Sequence, residues 1–254
     1  MIISFNDNVV TNLLPSVTAT SNAATVTERY KHLQTSDVVD TLALHGFSVV
    51  NQKGKLNEHS KHGLFLVNRE IGFLDNTGSE NFASVALFNS HDGKSSLKLV
   101  AGFLRMICSN GMVSGRVTDS ISIRHTQRGY DNMPALVAEL PNRIETFRQT
   151  INALQNVRLE TREIAELLTI VHDSIKLIRP IDKPADLYHL RRYEDNVSDA
   201  YTVANIIQEN LIKGGMQSAN SNRRLRGITA VNRQSELTQL VMNTTIDYVA
   251  KRAA

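Results

Sequence analysis

The stretch Phe82-Ala83-Ser84-Val85-Ala86-Leu87-Phe88-Asn89-Ser90-His91-Asp92-Gly93-Lys94-Ser95-Ser96-Leu97-Lys98-Leu99-Val100-Ala101-Gly102-Phe103-Leu104-Arg105 decides the fold. Phe82 to Asn89 reads as a strand. Its end runs into Asp92-Gly93, a dipeptide that tight hairpins favour because glycine tolerates positive φ. Beyond the turn, Leu97, Leu99, Ala101 and Phe103 alternate with Lys98, Val100, Gly102 and Leu104, the period of a strand. A short apolar run is also compatible with a helix over part of Leu97 to Met106. Asn110-Gly111 supplies a second turn, and Val117, Asp119, Ile121 and Ile123 alternate across Gly115 to Arg124.

Upstream, Phe47, Val49 and Asn51 alternate with their neighbours, Lys53-Gly54 marks a turn, and Leu64 to Gly72 reads as another strand. Ser36 to Leu44 has the signals of a short helix, with Ser36 as N-cap and Gly46 past its end. Downstream of Pro134 the period becomes helical. Ile144, Phe147, Ile151 and Leu154 make one stripe, and Ile164, Leu167, Leu168, Val171, Ile175 and Ile178 another, with Thr161 as its N-cap. Asp186 to Tyr193 reads as a brief helical piece. Ser198 caps a helix that Gly214-Gly215 ends, and a last helix runs from about Ser235 to Tyr248.

Strands followed by helices predict an α+β fold: an antiparallel β-meander with one solvated face, then a helical C-terminal half. Residues 1–27, rich in Ser, Thr, Asn and Ala, read as a flexible arm that is also able to dock on a neighbouring subunit. Residues 28–130 form the β-rich region and 131–254 the helical region, together one compact domain. With 41% hydrophobic and 21% charged residues among 254, the balance is that of a globular chain, and without Trp the core is mainly aliphatic. The single cysteine, Cys108, excludes an intramolecular disulfide and a cysteine-based zinc module, and points to a reducing compartment. No secretory signal is expected in Met1 to Tyr30, and no stretch reaches the roughly 18 apolar residues that span a bilayer.

Several clusters carry chemistry. Lys213 to Arg233 contains Lys213, Arg223, Arg224, Arg226 and Arg233, no Asp or Glu, and the pair Gly214-Gly215. Glycines let a backbone approach phosphates and arginine forks grip them, so this loop is the leading binding candidate, against the reading of a solvated loop. Arg223 to Arg226 are placed at a helix start, where the dipole also favours anions. Lys98 and Arg105 on the central strand are a second basic set. Asn89-Ser90-His91-Asp92 reads first as a polar hairpin tip held by Asx-type bonds. His59, His62, His91 and Asp92 are candidate metal ligands, although no recognised ligand motif appears. Cys108 lacks a local nucleophile signature. The Walker A, G-x-G-x-x-G and H-E-x-x-H patterns are absent from the sequence.

Two segments carry a family resemblance. Asn89-Ser90-His91-Asp92-Gly93, then Gly102 to Arg105, then Cys108-Ser109-Asn110-Gly111, resemble the central motif of the domain of unknown function 932 family of phages, plasmids and prophages. Asn205 to Asn210 with Glu209, Gly214-Gly215 and Arg223-Arg224-Leu225-Arg226 resemble its C-terminal segment. The resemblance implies a mobile-element protein in a bacterial cytoplasm and assigns no activity.

The resulting expectation is a non-enzymatic, cofactor-free protein that binds single-stranded nucleic acid, in annealing or as a recombination accessory, and self-assembles. Lys213, Arg223, Arg224, Arg226 and Arg233 hold phosphates, with Lys98 and Arg105 adding a basic wall. The alternatives are an interaction protein that inhibits a host defence or regulatory factor, and a metal-dependent enzyme built on the histidines.

Overall fold

The structure, a computed structural model, describes residues 9–105 and 120–252. The chain order is α1 (Pro15–Thr18), α2 (Thr35–Ala43), β1 (Ser48–Gly54), β2 (His62–Leu74), β3 (Glu80–Asn89), β4 (Leu97–Arg105), β5 (Ser120–Ile123), α3 (Gln127–Ala138), α4 (Leu140–Gln155), α5 (Thr161–Ile175), α6 (Ala200–Lys213) and α7 (Val231–Arg252). A 3-10 turn at Pro184–Leu187 separates α5 from α6. The fold is α+β, with an antiparallel sheet in the N-terminal half and helices in the C-terminal half.

The five strands lie in sequence order, each antiparallel to the last. Register follows the side-chain alternation. Leu64, Leu87, Leu99 and Ile121 stand in one row across β2 to β5 and belong to the main core with Phe147, Leu167, Val171 and Ile207 of the helices. The neighbouring row, Phe65, Ala86 and Val100, points to the opposite face and forms a second apolar cluster with Phe88. These residues are at most 8% exposed. The expected solvated face is therefore corrected: the centre of the sheet is covered on both sides. This is why β4 reads as a nearly continuous apolar run, the pattern of a strand buried twice. Ladder pairing with β3 and β5 shows Leu97 to Arg105 to be strand, not helix.

The helices begin and end where backbone bonding is satisfied. Thr126 caps α3 by accepting from the amide of Gly129. Pro134 lies inside that helix, where the sequence places a boundary. Glu160 and Glu163 form a capping box at the start of α5, in place of the expected Thr161 cap. Asp199, the residue after the expected Ser198, caps α6 by accepting from the amide and hydroxyl of Thr202. All of α6 except Lys213 is buried, and it packs against α4 and α7. Its polar residues Asn205, Gln208, Glu209 and Asn210 are thus interior, and each needs a partner there.

Composition suggests a loose arm before residue 27, but its described part lies on the body. Ser16 and Val17 are buried, the amide of Val10 donates to Val49 O on β1 at 2.7 Å, and that of Leu14 donates to Gln52 Oε1 at 2.9 Å. Among the described residues no helix is long and apolar enough to cross a membrane.

Candidate functional site

The basic loop is built on the end of α6. Gly214 takes φ 73° and ψ −154°, a conformation that is essentially glycine-only, and Gly215 follows at φ 95°. The chain then pairs with itself. The amide of Gly215 donates to Leu225 O at 2.8 Å, that of Leu225 to Met216 O at 2.8 Å, and that of Ser218 to Arg223 O at 3.0 Å. On its other side, Asp182 N donates to Gln217 O and Ala219 N to Pro180 O, both at 3.0 Å. The expected flexible loop is instead a small hydrogen-bonded ladder with its tip at residues 219–222.

This ladder displays the arginines. Arg223, Arg224 and Arg226 are exposed, and among the described residues no carboxylate lies within ion-pair distance of them. Arg179 adds a fourth cation: its Nη2 donates to Arg226 O at 2.7 Å, and burial lowers its pKa. Because α7 starts only at Val231, Arg223 to Arg226 do not stand at a helix N-terminus, and the expected dipole contribution is withdrawn. Between the ladder and the segment after the 3-10 turn lies a cleft of about 510 Å³, walled by Tyr188, His189, Arg191, Asn210, Gly215 and Arg224, with Asp186 as its carboxylate. Arg191 is held by donating to Asn210 Oδ1 at 2.9 Å and to Gly214 O at 2.8 Å.

A chain of alternating charges runs from the end of β4 to the end of α6. Arg105 at the end of β4 meets Asp75 at 2.7 Å and Asp195 at 2.8 Å, all three side chains at most 2% exposed. Asp195 also meets Arg192 at 3.0 Å. Arg192 reaches Glu209 of α6, and Glu209 pairs with Lys213. Thr77 and Ser79 hydroxyls accept from Arg105 as well. Three cations and three anions cancel, which makes burial of so many charges tolerable.

The candidate metal ligands form a different assembly. His91 is fully buried, and its Nε2 donates to Ser16 O at 2.9 Å. His32 lies with its ring centroid 4.3 Å from that of His91, and His62 at 5.5 Å. His62 bonds Ser60 O and Thr35 Oγ1, and His125 bonds Asn89 Oδ1 and Lys31 O. Asn89 donates to Leu33 O and Thr35 Oγ1. Asp92 accepts from the Ser90 hydroxyl and the Lys94 amide, with Gly93 at φ 76°. Asn89 to His91 are thus buried, and not a polar tip; they clasp the segment before α2. His59 contributes a backbone carbonyl to His91. Among the described residues no group of three or more His, Cys, Asp or Glu is placed to hold a metal.

Burial lowers the pKa of His62 and His125. Burial, then the neighbouring His32 and His62, brings His91 to about 3. The His91 ring thus titrates near 3 when folded but near 6.5 when unfolded. The unfolded state therefore binds more protons between those values, and stability falls as pH drops through that window. Urea unfolding at pH 7.5, 6 and 5 is expected to show His91 alone removing about 2 kcal/mol by pH 5. A flat profile from pH 7.5 to 5 would refute this origin.

The other sequence candidates are scattered. Arg105 is enclosed by carboxylates and does not belong to a phosphate-binding wall, a correction that follows from the charge chain. Lys98 has the opposite parity on β4 and borders a separate cleft of about 180 Å³ with Lys61, Phe88 and Glu236. The single basic groove joining Lys98 and Arg105 to the loop is therefore not formed. Lys213 is paired with Glu209, and exposed Arg233 with Glu236 at 3.3 Å. Cys108 and Asn110-Gly111 lie outside the described residues. Arg179 and Arg191 were missed by the sequence reading; the triplet Arg191-Arg192-Tyr193, basic beside aromatic, is the signal that points there.

Comparison with known proteins places this geometry in context. The model of the family described as "Domain of unknown function (DUF932)" matches residues 23–241. The chain is 27% identical to the UPF0380 protein YafZ of Escherichia coli (strain K12) over 231 residues, covering 85% of this chain and 82% of that protein. It is likewise 27% identical to the UPF0380 protein YfjQ of the same strain over 230 residues, with the same shares. No solved structure matches.

Proposed function

The chain belongs to the Domain of unknown function (DUF932) family, whose description assigns no chemistry, and from its cation placement we propose that it binds single-stranded nucleic acid through the Gly214–Arg226 ladder and its cleft. The observation that carries this reading is the set Arg223, Arg224 and Arg226, exposed on a hydrogen-bonded backbone with no carboxylate in ion-pair range among the described residues. Elsewhere in the C-terminal half, Arg143, Arg148, Arg162 and Arg252 are each neutralised by a glutamate. Arginines held apart from acids on an ordered scaffold suit phosphate oxygens, which take two parallel bonds from one guanidinium. Arg191, fixed by Asn210 and Gly214 O, brings a further cation to the same cleft. Annealing or a recombination-accessory role for a mobile element, by a self-assembling protein in a bacterial cytoplasm, is the use we propose for this surface.

Binding to labelled oligothymidylate is measured across a salt series. Neutralising about three phosphates gives a slope of log K against log salt near −2. The triple change Arg223→Ala, Arg224→Ala, Arg226→Ala is expected to weaken binding at least tenfold at low salt and to flatten that slope, with the urea midpoint little changed. Absence of binding by the wild type at low salt, or full binding by the triple variant, sinks the reading.

A further inference from the structure

Tyr193 is 88% exposed, yet the chain on both sides of it is anchored. Arg192 is tied to Asp195 and Glu209. Asp195 is buried against Arg105, and the amide of Asn196 returns to Tyr193 O at 3.0 Å to close a turn. A ring this open is normally carried on mobile chain; here it stands on the buried charge network. Leu190, 38% exposed, lies beside it in a shallow cleft of about 320 Å³ that also includes Arg191 and Asn196. Arg191 borders this cleft and the larger polar one, so the two meet at one guanidinium. An aromatic and aliphatic shelf next to a polar cleft carrying Arg191 and Arg224 has the layout of a nucleotide subsite, with the base stacked and the phosphate paired. Glu194, the exposed residue that follows Tyr193, adds a negative charge to this turn, which favours an uncharged base over a phosphate at the shelf.

We propose that Tyr193 is a base-stacking residue that makes the surface select unpaired strands over duplex, with Leu190 as the floor beside it. This rests on the nucleic-acid reading above and adds its selectivity. A duplex keeps its bases stacked on each other and cannot offer a free face to the ring, whereas its phosphates remain available to Arg224 and Arg191.

The test uses the full chain with three probes of equal length: oligothymidylate, the same strand with abasic sites, and duplex. Wild-type protein is expected to prefer oligothymidylate over the other two by about 5- to 150-fold, the range of one stacked base. Oligothymidylate should also quench tyrosine fluorescence, which no tryptophan obscures. Tyr193→Ala should abolish the preference and the quenching while leaving the salt slope unchanged; Tyr193→Phe should keep the preference. If Tyr193→Ala discriminates like the wild type, or if Phe behaves as Ala, the stacking role is overturned while phosphate binding stands. If the wild type binds none of the probes, the nucleic-acid reading falls and the stacking role with it.

Discussion

Arg105→Met is expected to destabilise the protein by about 3–5 kcal/mol, because it leaves buried Asp75 without its cation and takes one of two cations from buried Asp195. Asp75 and Asp195 are 1% exposed, and neither can turn to water without moving the chain around it. Asp195 keeps Arg192, so the larger share of the loss falls on Asp75. Its Oδ1 still accepts from the amides of Thr77 and Ser79, but these are neutral donors. The measurement is urea unfolding of Arg105→Met, of Asp75→Asn, and of the pair. An asparagine at 75 retains the carbonyl that receives those amides and removes the charge. The double variant should therefore be more stable than the sum of the single losses predicts, by at least 1 kcal/mol of coupling. Strict additivity, or a loss below 1 kcal/mol for Arg105→Met, would show that the network does not hold the fold in this way.

Gly214→Ala is expected to cost about 3 kcal/mol or more, and to release the arginine ladder. Two effects combine. The backbone at φ 73° and ψ −154° is strained by 1–3 kcal/mol for any residue with a Cβ. The added carbon would also stand 2.5 Å from Leu225 O and 2.7 Å from the carbonyl carbon of Arg226. These are backbone atoms of the ladder, so relief requires the ladder to open. Gly215 is the internal control: it too has positive φ, but a Cβ there meets nothing within 4 Å. Gly215→Ala should cost only the conformational strain, about 1–2 kcal/mol. Urea unfolding ranks the two, and limited proteolysis at the 219–222 tip reports the ladder directly. Equal stability and equal protease resistance would contradict the close approach described here.

The strands were legible because their alternation and turn dipeptides are local signals. Asp92-Gly93 marks the β3–β4 turn in sequence as in space, and the row Leu87, Leu99, Ile121 follows from a period of two. What was not legible depends on partners distant in sequence. Arg105 reads as a surface cation on an amphipathic strand; only the arrival of Asp195 makes it interior. The second covered face of the sheet is hidden for the same reason, since Ala86 and Val100 do not announce what lies over them. His91 looked like a turn residue, and its bond to Ser16 O joins residues 75 positions apart. In the candidate site, the acid-free composition of 213–233 was visible, and so was the need for glycine at 214–215. The ladder was not, because backbone pairing between 180–182 and 217–219 leaves no trace in side-chain periodicity. Arg191 and Tyr193 lie in irregular chain: the helical piece expected over Asp186 to Tyr193 is only a 3-10 turn at Pro184–Leu187, so the period read there did not flag them.

The sheet and the charge chain differ in how far along the polypeptide their contacts reach, and this bears on the order of assembly. Among the described residues, strands β1 to β5 pair with their sequence neighbours, so the meander joins segments close in sequence and has low contact order, the condition for rapid pairing. The link from Arg105 to Asp195 closes 90 residues, a slower search with a larger entropy of closure. The meander can thus form first as a template with a charged end, and the helices collect on it afterwards. Arg105 then selects, from several arginine- and carboxylate-bearing segments, the one docking arrangement that leaves no buried charge alone.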